Sequence, residues 1–513
     1  MGESILTATF SVAPPTIMIE YSKSALFTDL YQLTMAYGYW KAKLNTHQAA
    51  FHLFFRKNPF DGGYAVAAGL ENALEYLTSF QFSADDLDYL STINGNDERP
   101  LFSREFLDYL GEMRFDCDVD AIPEGTPVFA HEPLLRVTGN IIPCQLVETA
   151  LLNIINFQTL IATKSARVCE AARGENVIEF GARRAQGPDG ALSASRAAYI
   201  GGCSATSNVL AGRVLDIPVK GTHAHSWVMM FDDELESFKA YAKAMPNNCV
   251  FLVDTYDTLE GVRHAAQVGT WLRSLGFRLA GIRLDSGDLA YLSIEARKIL
   301  DANGLHQTPI LASNDLDEYT VESLKLQGAP IAVWGVGTRL VTGGDQAALG
   351  GVYKLSATRA PLNDGENGWG EWRSRIKISD DLVKISTPGI QGVRRFYESD
   401  DANALAIADA IYDIHDETLD WTNGCTVVDP SDPTRRKRVA SSTRSEDLLV
   451  PVLRGGKSVY QSPALKDIRD FATQQRARLH PAIRRFVNPH RYPAGLEQSL
   501  HERKMQMVLD AKS

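Results

Sequence analysis

The chain has 513 residues, 44% of them hydrophobic and 22% charged, with a formal net charge of −11. That balance suits a soluble globular protein of two or three domains. It disfavours a broad nucleic-acid-binding face, which needs positive potential, yet leaves room for a locally basic pocket that takes a small anion.

No run of about 18 apolar residues suggests a membrane span. The stretch Met1 to Ile17 has no basic residue ahead of its modest apolar patches and no small-residue cleavage site, so no secretory leader is expected. Gly2 follows Met1, but Leu6 stands where myristoylation needs Ser or Thr. The pair Pro14-Pro15 predicts a flexible lead-in. The six cysteines (Cys117, Cys144, Cys169, Cys203, Cys249, Cys425) form no Cys-x-x-Cys pair and are too sparse to staple the chain. They predict a reduced, cytoplasmic setting and no cysteine-bound metal.

Asp29 to Trp40 has the look of an amphipathic helix, and Ala50 to Arg56 is rich in strand formers. Asp61-Gly62-Gly63 reads as a turn before a helix over Tyr64 to Leu77, and Ala121 to Leu135 as strands of a small sheet. A long helix is predicted from Gln145 to Arg173, where Leu151, Ile155, Gln158 and Ala162 recur at helical spacing.

After Gly174 short apolar runs alternate with helical stretches. Val177 to Phe180, Val250 to Val253, Leu279 to Leu284, Ile310 to Ala312 and Ile331 to Trp334 each end in polar or glycine-rich residues. Thr258 to Leu275 and Leu289 to Asn303 suit the intervening helices. Such alternation implies a parallel sheet, because parallel strands need long crossovers, and ligands collect at the carboxyl ends of those strands. The fold class expected is α/β, an irregular barrel, with an open sheet as the alternative. Beyond Gly351 strands are expected at Val352 to Leu355, Ile376 to Ile378 and Leu382 to Ile385. Arg435-Arg436-Lys437-Arg438 reads as a solvated charged turn rather than a nucleic-acid patch, and Leu496 to Leu509 as a closing helix.

Four segments suggest chemistry. Gly335-Val336-Gly337-Thr338 follows a strand, where glycines let N–H groups face an anion; Gly350-Gly351 is a second such place. Arg283 and Asp285 share a face by two-residue alternation. Arg283 suits a phosphate or carboxylate, and Asp285 and Asp288 suit ribose hydroxyls or Mg²⁺ on a pyrophosphate; an internal Arg–Asp pair is the plainer reading. Arg183-Arg184 after Gly181 again suggests an anion, or else a surface pair. In Thr222-His223-Ala224-His225-Ser226 the two histidines suit a metal, a nucleophile or general base, or simple packing, and spacing does not separate them.

Together these segments resemble nicotinate phosphoribosyltransferase, of the type II phosphoribosyltransferases. The likeness is carried in order by Thr28 to Gln32, Glu179 to Arg184, Gly221 to Ser226, Leu284 to Asp288, Gly335 to Thr338 and Gly350 to Leu355, and more loosely by Asn488-Pro489-His490. It implies an irregular α/β (TIM-like) barrel, residues 146–350, and an α+β domain built from both chain ends, 1–145 and 351–513. It implies a homodimer with sites near the interface. The implied reaction joins nicotinate and phosphoribosyl pyrophosphate into nicotinate mononucleotide and pyrophosphate, with ATP hydrolysis and Mg²⁺, in NAD salvage.

Residue by residue, the resemblance implies that Tyr31 and Phe180 sandwich the pyridine ring, and that Thr222 and Arg283 bind nicotinate. Arg183 would serve ring and phosphates. Ser286, Gly335, Gly337, Thr338, Gly350 and Gly351 would hold phosphoribosyl pyrophosphate, Thr338 at the 5′-phosphate. His225 matches the phosphorylated histidine. Asp285 and Asp288 would serve catalysis, and Asp285 the metal. One departure is the run Pro388 to Arg394, where the family often has lysine after Pro-Gly; either Arg394 substitutes for that cation or the loop has no role in binding.

The sister nicotinamide enzymes place an aspartate near Gly212-Arg213-Val214. Here no acid occurs before Asp216, which favours nicotinate. A non-catalytic binding protein would be expected to have lost His225 or the Gly335 to Thr338 loop, and both are present.

Overall fold

The computed structural model describes residues 23–362, 368–441 and 444–512. The lead-in with Pro14-Pro15, and the leader and myristoylation readings, lie outside them. Three large sheets organise the rest. The central one is parallel. Its order is Ala205–Thr206, Asn176–Glu179, Val333–Val336, Ile310–Ala312, Gly281–Leu284, Val250–Leu252. These are short, mostly apolar runs, as expected of strands buried on both faces.

Helices cover this sheet for reasons visible in their sequences. Asp257 caps Thr258–Ser274 through the Glu260 N–H, and that helix buries Val262, Ala265, Ala266, Val268 and Leu272. Asp288 caps Leu289–Ala302 by accepting from the Ala290 and Tyr291 N–H groups, and Leu289, Ser293, Ala296 and Leu300 face inward. Such a cap contributes about 1 kcal/mol.

The two edge strands are joined by an irregular segment. Thr206 forms a parallel bridge with Val219, and the Lys220 N–H donates to the Thr206 carbonyl. Three residues on, His223 Nε2 accepts from the Leu252 N–H at 3.2 Å. A side chain thus supplies the link that a regular strand would make with backbone, and the irregular barrel is borne out in this form.

The second sheet runs Arg373–Ser374, Gly351–Arg359, Gln48–Phe55, Leu135–Asn140, Asp118–Ala121, Val450–Arg454, Lys457–Ser458. It interleaves strands from both parts of the chain, which makes the α+β unit. The third sheet uses only later residues, 391–497, so this region builds a layer of its own besides returning to the second sheet. The long helix Glu148–Ala171, preceded by Ile141–Leu146, lies between the two main cores, with Leu151, Ile155 and Leu160 in one and Ile161, Ala162 and Ala166 in the other.

Several local expectations change. A short strand, Ala65–Val66, precedes the helix, which begins only at Leu70. Ile376 to Ile378 has no strand pairing, and Leu382–Lys384 is a turn of 3₁₀ helix, closed by the Lys384 N–H to the Asp381 carbonyl. The basic run is an edge strand, Arg436–Val439, paired with Cys425–Val428. Its exposed charges guard the edge against further pairing. No helix among the described residues is long and apolar enough to cross a membrane.

Candidate active site

A cavity of about 360 Å³ opens at the carboxyl ends of the parallel strands. Five of the six strands deliver polar or glycine-rich ends to it: Phe180 and Ala182 to Arg184, Ser207, Asp285, Ser313 to Asp315, and Gly335, Gly337 and Thr338; Gly221-Thr222 of the irregular segment join them. A second cavity, about 480 Å³, runs through the barrel lumen between Ile178, Val250, Leu311 and Val333, and meets the first at Phe180, Gly221 and Thr222.

Arg283 is the hub. Its Nε donates to Ser313 Oγ at 2.8 Å, one terminal nitrogen to Thr222 Oγ1 at 3.1 Å, and the other to Asp285 Oδ1 at 2.8 Å. Ser313 Oγ also donates to Asp285. The guanidinium lies over the Phe180 ring, 5.4 Å from its centroid. The shared face expected of Arg283 and Asp285 is present, and the plain reading holds too, since they form an ion pair. Both nevertheless line the cavity.

Phe180 is held flat by its neighbours. Its N–H donates to the Val336 carbonyl at 2.8 Å. A Cβ on Gly335 would stand 2.7 Å from the ring, and one on Gly181 would stand 2.3 Å from Val341 Cγ1. Both glycines are needed for close approach. Arg183 and Arg184 are exposed at the cavity and make no side-chain hydrogen bond or ion pair among the described residues. Two uncommitted guanidiniums beside a glycine turn make a strong anion-binding arrangement.

The histidines separate cleanly. His223 is buried at 7% exposure, its Nε2 taken by the Leu252 N–H, its ring 5.0 Å from that of Tyr241. Burial holds its imidazole below the ordinary range. His225 has a side chain 40% exposed, Nε2 3.9 Å from Asp285 Oδ2 and Nδ1 3.2 Å from Thr255 Oγ1. The two do not share a ligand face, and no group of three or more His, Cys, Asp or Glu side chains among the described residues is placed to hold a metal ion.

Of the remaining expected residues, Gly335, Gly337 and Thr338 line the cavity. Ser286 does not; its hydroxyl donates to Asp254 Oδ2 at 2.5 Å. Asp288 is a helix cap outside the lining. Gly350 and Gly351 lead into the strand Gly351–Arg359 of the second sheet. Tyr31, 50% exposed on the helix Leu30–Lys41, is also outside the lining. Arg394 pairs with Asp447 at 2.7 Å and stacks on Trp421 in the third sheet. Val214 faces solvent, and the neutral residue nearby in sequence that lines the cavity is Ser207.

Ser207 and Thr255 carry no motif signal in the sequence, and Asp254, Ser313, Asn314 and Asp315 stand there only as polar strand ends without an assigned role. Asp254 Oδ2 accepts from both the Asp285 N–H and the Ser286 hydroxyl, and its Oδ1 is buried without a hydrogen-bond partner among the described residues. Asn314 and Asp315 both adopt positive φ, 98° and 44°, at the cavity. Such strain in non-glycine residues persists only where the surroundings enforce it. The available signal was their position directly after predicted strands.

Comparison with known proteins gives the family. The sequence model of the nicotinate phosphoribosyltransferase (NAPRTase) N-terminal domain matches residues 26–156, and that of the C-terminal domain matches residues 390–504. The nicotinate phosphoribosyltransferase of Bacillus subtilis is 42% identical, over 97% of this chain and 98% of that protein. Nicotinate phosphoribosyltransferase 2 of Arabidopsis thaliana is 36% identical, over 93% of each. The crystal structure of human nicotinic acid phosphoribosyltransferase superposes with a TM-score of 0.78 at 30% identity, covering 94% of this chain and 99% of that one. The chain belongs to the nicotinate phosphoribosyltransferase family.

Proposed function

We propose that this protein catalyses the attack of the nicotinate ring nitrogen on C1 of phosphoribosyl pyrophosphate, giving nicotinate mononucleotide and pyrophosphate in NAD salvage. The observation that carries this reading is the cavity itself. An aromatic floor, Phe180, lies beside a fixed cation, Arg283, and two free ones, Arg183 and Arg184. A flat aromatic acid and a phosphorylated sugar are the partners that such a set accommodates together.

In this reading nicotinate stacks on Phe180, its carboxylate drawn to Arg283 with Thr222 alongside. The glycine turn and Thr338 take the 5′-phosphate through N–H and hydroxyl donors. Arg183 and Arg184 face the pyrophosphate. Departure of pyrophosphate builds positive charge on the ribose and negative charge on the leaving group, which the arginines stabilise. The ring nitrogen needs positioning rather than activation. Asp285 Oδ1 is committed to Arg283 and Ser313, so Oδ2, 3.9 Å from His225 Nε2, is the oxygen that would be left to bear on Mg²⁺. Bound Mg²⁺ would supply further neutralisation of the pyrophosphate.

ATP is the proposed co-substrate. A nitrogen of His225 attacks the γ-phosphorus, ADP leaves, and water later cleaves the phosphohistidine to histidine and phosphate. His225 suits this role because it is exposed, whereas His223 is sealed in the barrel. Asp285 and Thr255 orient the ring. Ser286 and Asp288 act one step back, through Asp254 and through the helix that begins behind the loop. Tyr31 is proposed to reach the pocket of a second copy, in a homodimer working in the cytoplasm.

The test is incubation with γ-³²P-labelled ATP. Label is expected on the wild type and on His223→Gln, and to be lost from His225→Ala. Label that survives His225→Ala but disappears with His223→Gln overturns the assignment.

A further inference from the structure

Glu179 ends the strand Asn176–Glu179 and is 1% exposed. Its carboxylate lies not in the cavity but against the helix Gly187–Gly201 and the neighbouring strand end. Three neutral donors converge on it: the Gly181 N–H, the Ser195 hydroxyl at 2.9 Å and the Thr206 hydroxyl at 2.6 Å. Thr206 Oγ1 in turn accepts from the Asn208 N–H at 3.0 Å, and the Asn208 amide reaches Ser195 Oγ at 3.3 Å. The Glu179 carbonyl accepts from the Ser207 N–H at 2.9 Å.

Burying a carboxylate among neutral groups is a costly way to join a strand to a helix, and an apolar side chain would do so with less penalty. What an apolar residue would not do is fix the two turns beside it. The turn after Glu179 carries Phe180 and Arg183; the turn after Thr206 carries Ser207. All three line the cavity. The Phe180 N–H is already tied on the opposite flank, to Val336. The Gly181 N–H, on the next peptide, is the handle on the other side of Phe180, and Glu179 holds it.

We propose that Glu179 is a positioning residue of the base pocket. It touches no substrate, and sets the placement of the Phe180 ring and the Ser207 turn against each other. The proposal rests on the reading of the cavity as the nicotinate pocket.

The experiment compares full-length wild type, Glu179→Gln, Ser195→Ala and Thr206→Val. Initial rates are measured over nicotinate and phosphoribosyl pyrophosphate concentrations, together with the thermal midpoint and the folded fraction. Gln keeps the shape but cannot accept from all three donors. Glu179→Gln is expected to raise KM for nicotinate by about tenfold or more while kcat per folded molecule falls less than about threefold. Ser195→Ala and Thr206→Val should each raise KM by about threefold. A merely structural role lowers the thermal midpoint and the folded fraction and leaves KM alone; that result overturns the proposal. If Glu179→Gln does not fold, unchanged KM in both hydroxyl variants overturns it equally. Wild-type protein that makes no nucleotide from nicotinate overturns the pocket reading itself, which is a different outcome from an active wild type with insensitive variants.

Discussion

His223 and His225 stand two residues apart, one ring serving as a backbone acceptor inside the barrel and the other part-exposed outside the cavity lining, 3.9 Å from Asp285, which does line it. Their residue types are equal, so spacing left metal, nucleophile and packing open. The family resemblance points to His225; the physical separation lies in the neighbours, Leu252, Tyr241, Thr255 and Asp285, far away in the chain. The same holds for Arg283. Its pairing with Asp285 was legible from strand alternation, whereas its bonds to Thr222 and Ser313 required the fold. His223→Ala removes the acceptor of a buried N–H and leaves a void, at a cost of about 2–4 kcal/mol. The expected result is a thermal midpoint lower by several degrees with phosphorylation of His225 retained. An unchanged midpoint with loss of label would reverse the two roles.

At the scale of elements, the parallel strands were legible because each is a short apolar run closed by polar or glycine residues. The pocket turns followed from that. The closing segment of the barrel was not, because Val219 to His223 has no strand periodicity and makes one of its links through an imidazole. Nor was the edge strand Arg436–Val439, whose charges hide its pairing. The glycine turn was read as an anion cradle, but Gly335 also has a steric task under Phe180. Gly335→Ala would place a methyl 2.7 Å from the ring and tilt it. A rise of about tenfold or more in KM for nicotinate is expected, corresponding to about 1.4 kcal/mol or more of binding. Titration of both substrates checks it: a rise in KM for phosphoribosyl pyrophosphate alone would place the effect on the phosphate cradle instead.

For the whole molecule, the return of the chain to the second sheet joins residues hundreds of positions apart, as in the pairing of Phe55 with Gly351. No local pattern encodes such a pairing, and the two-ended domain was legible only through the family resemblance. Tyr31 poses the matching question between chains. It is exposed with Leu30 and Met35 on one helix, away from the cavity of its own chain. If it serves a partner's pocket, Tyr31→Ala and His225→Ala are each nearly inactive, yet mixing them by co-refolding should restore activity in the heterodimers, which contain one intact site. Absence of any restoration in verified heterodimers would confine each site to a single chain.

The central claim is tested most directly by offering purified protein equimolar nicotinate and nicotinamide with phosphoribosyl pyrophosphate, ATP and Mg²⁺, and identifying the nucleotide by mass. Nicotinate mononucleotide as the dominant product is predicted; preferential formation of nicotinamide mononucleotide, or of neither, would contradict the account.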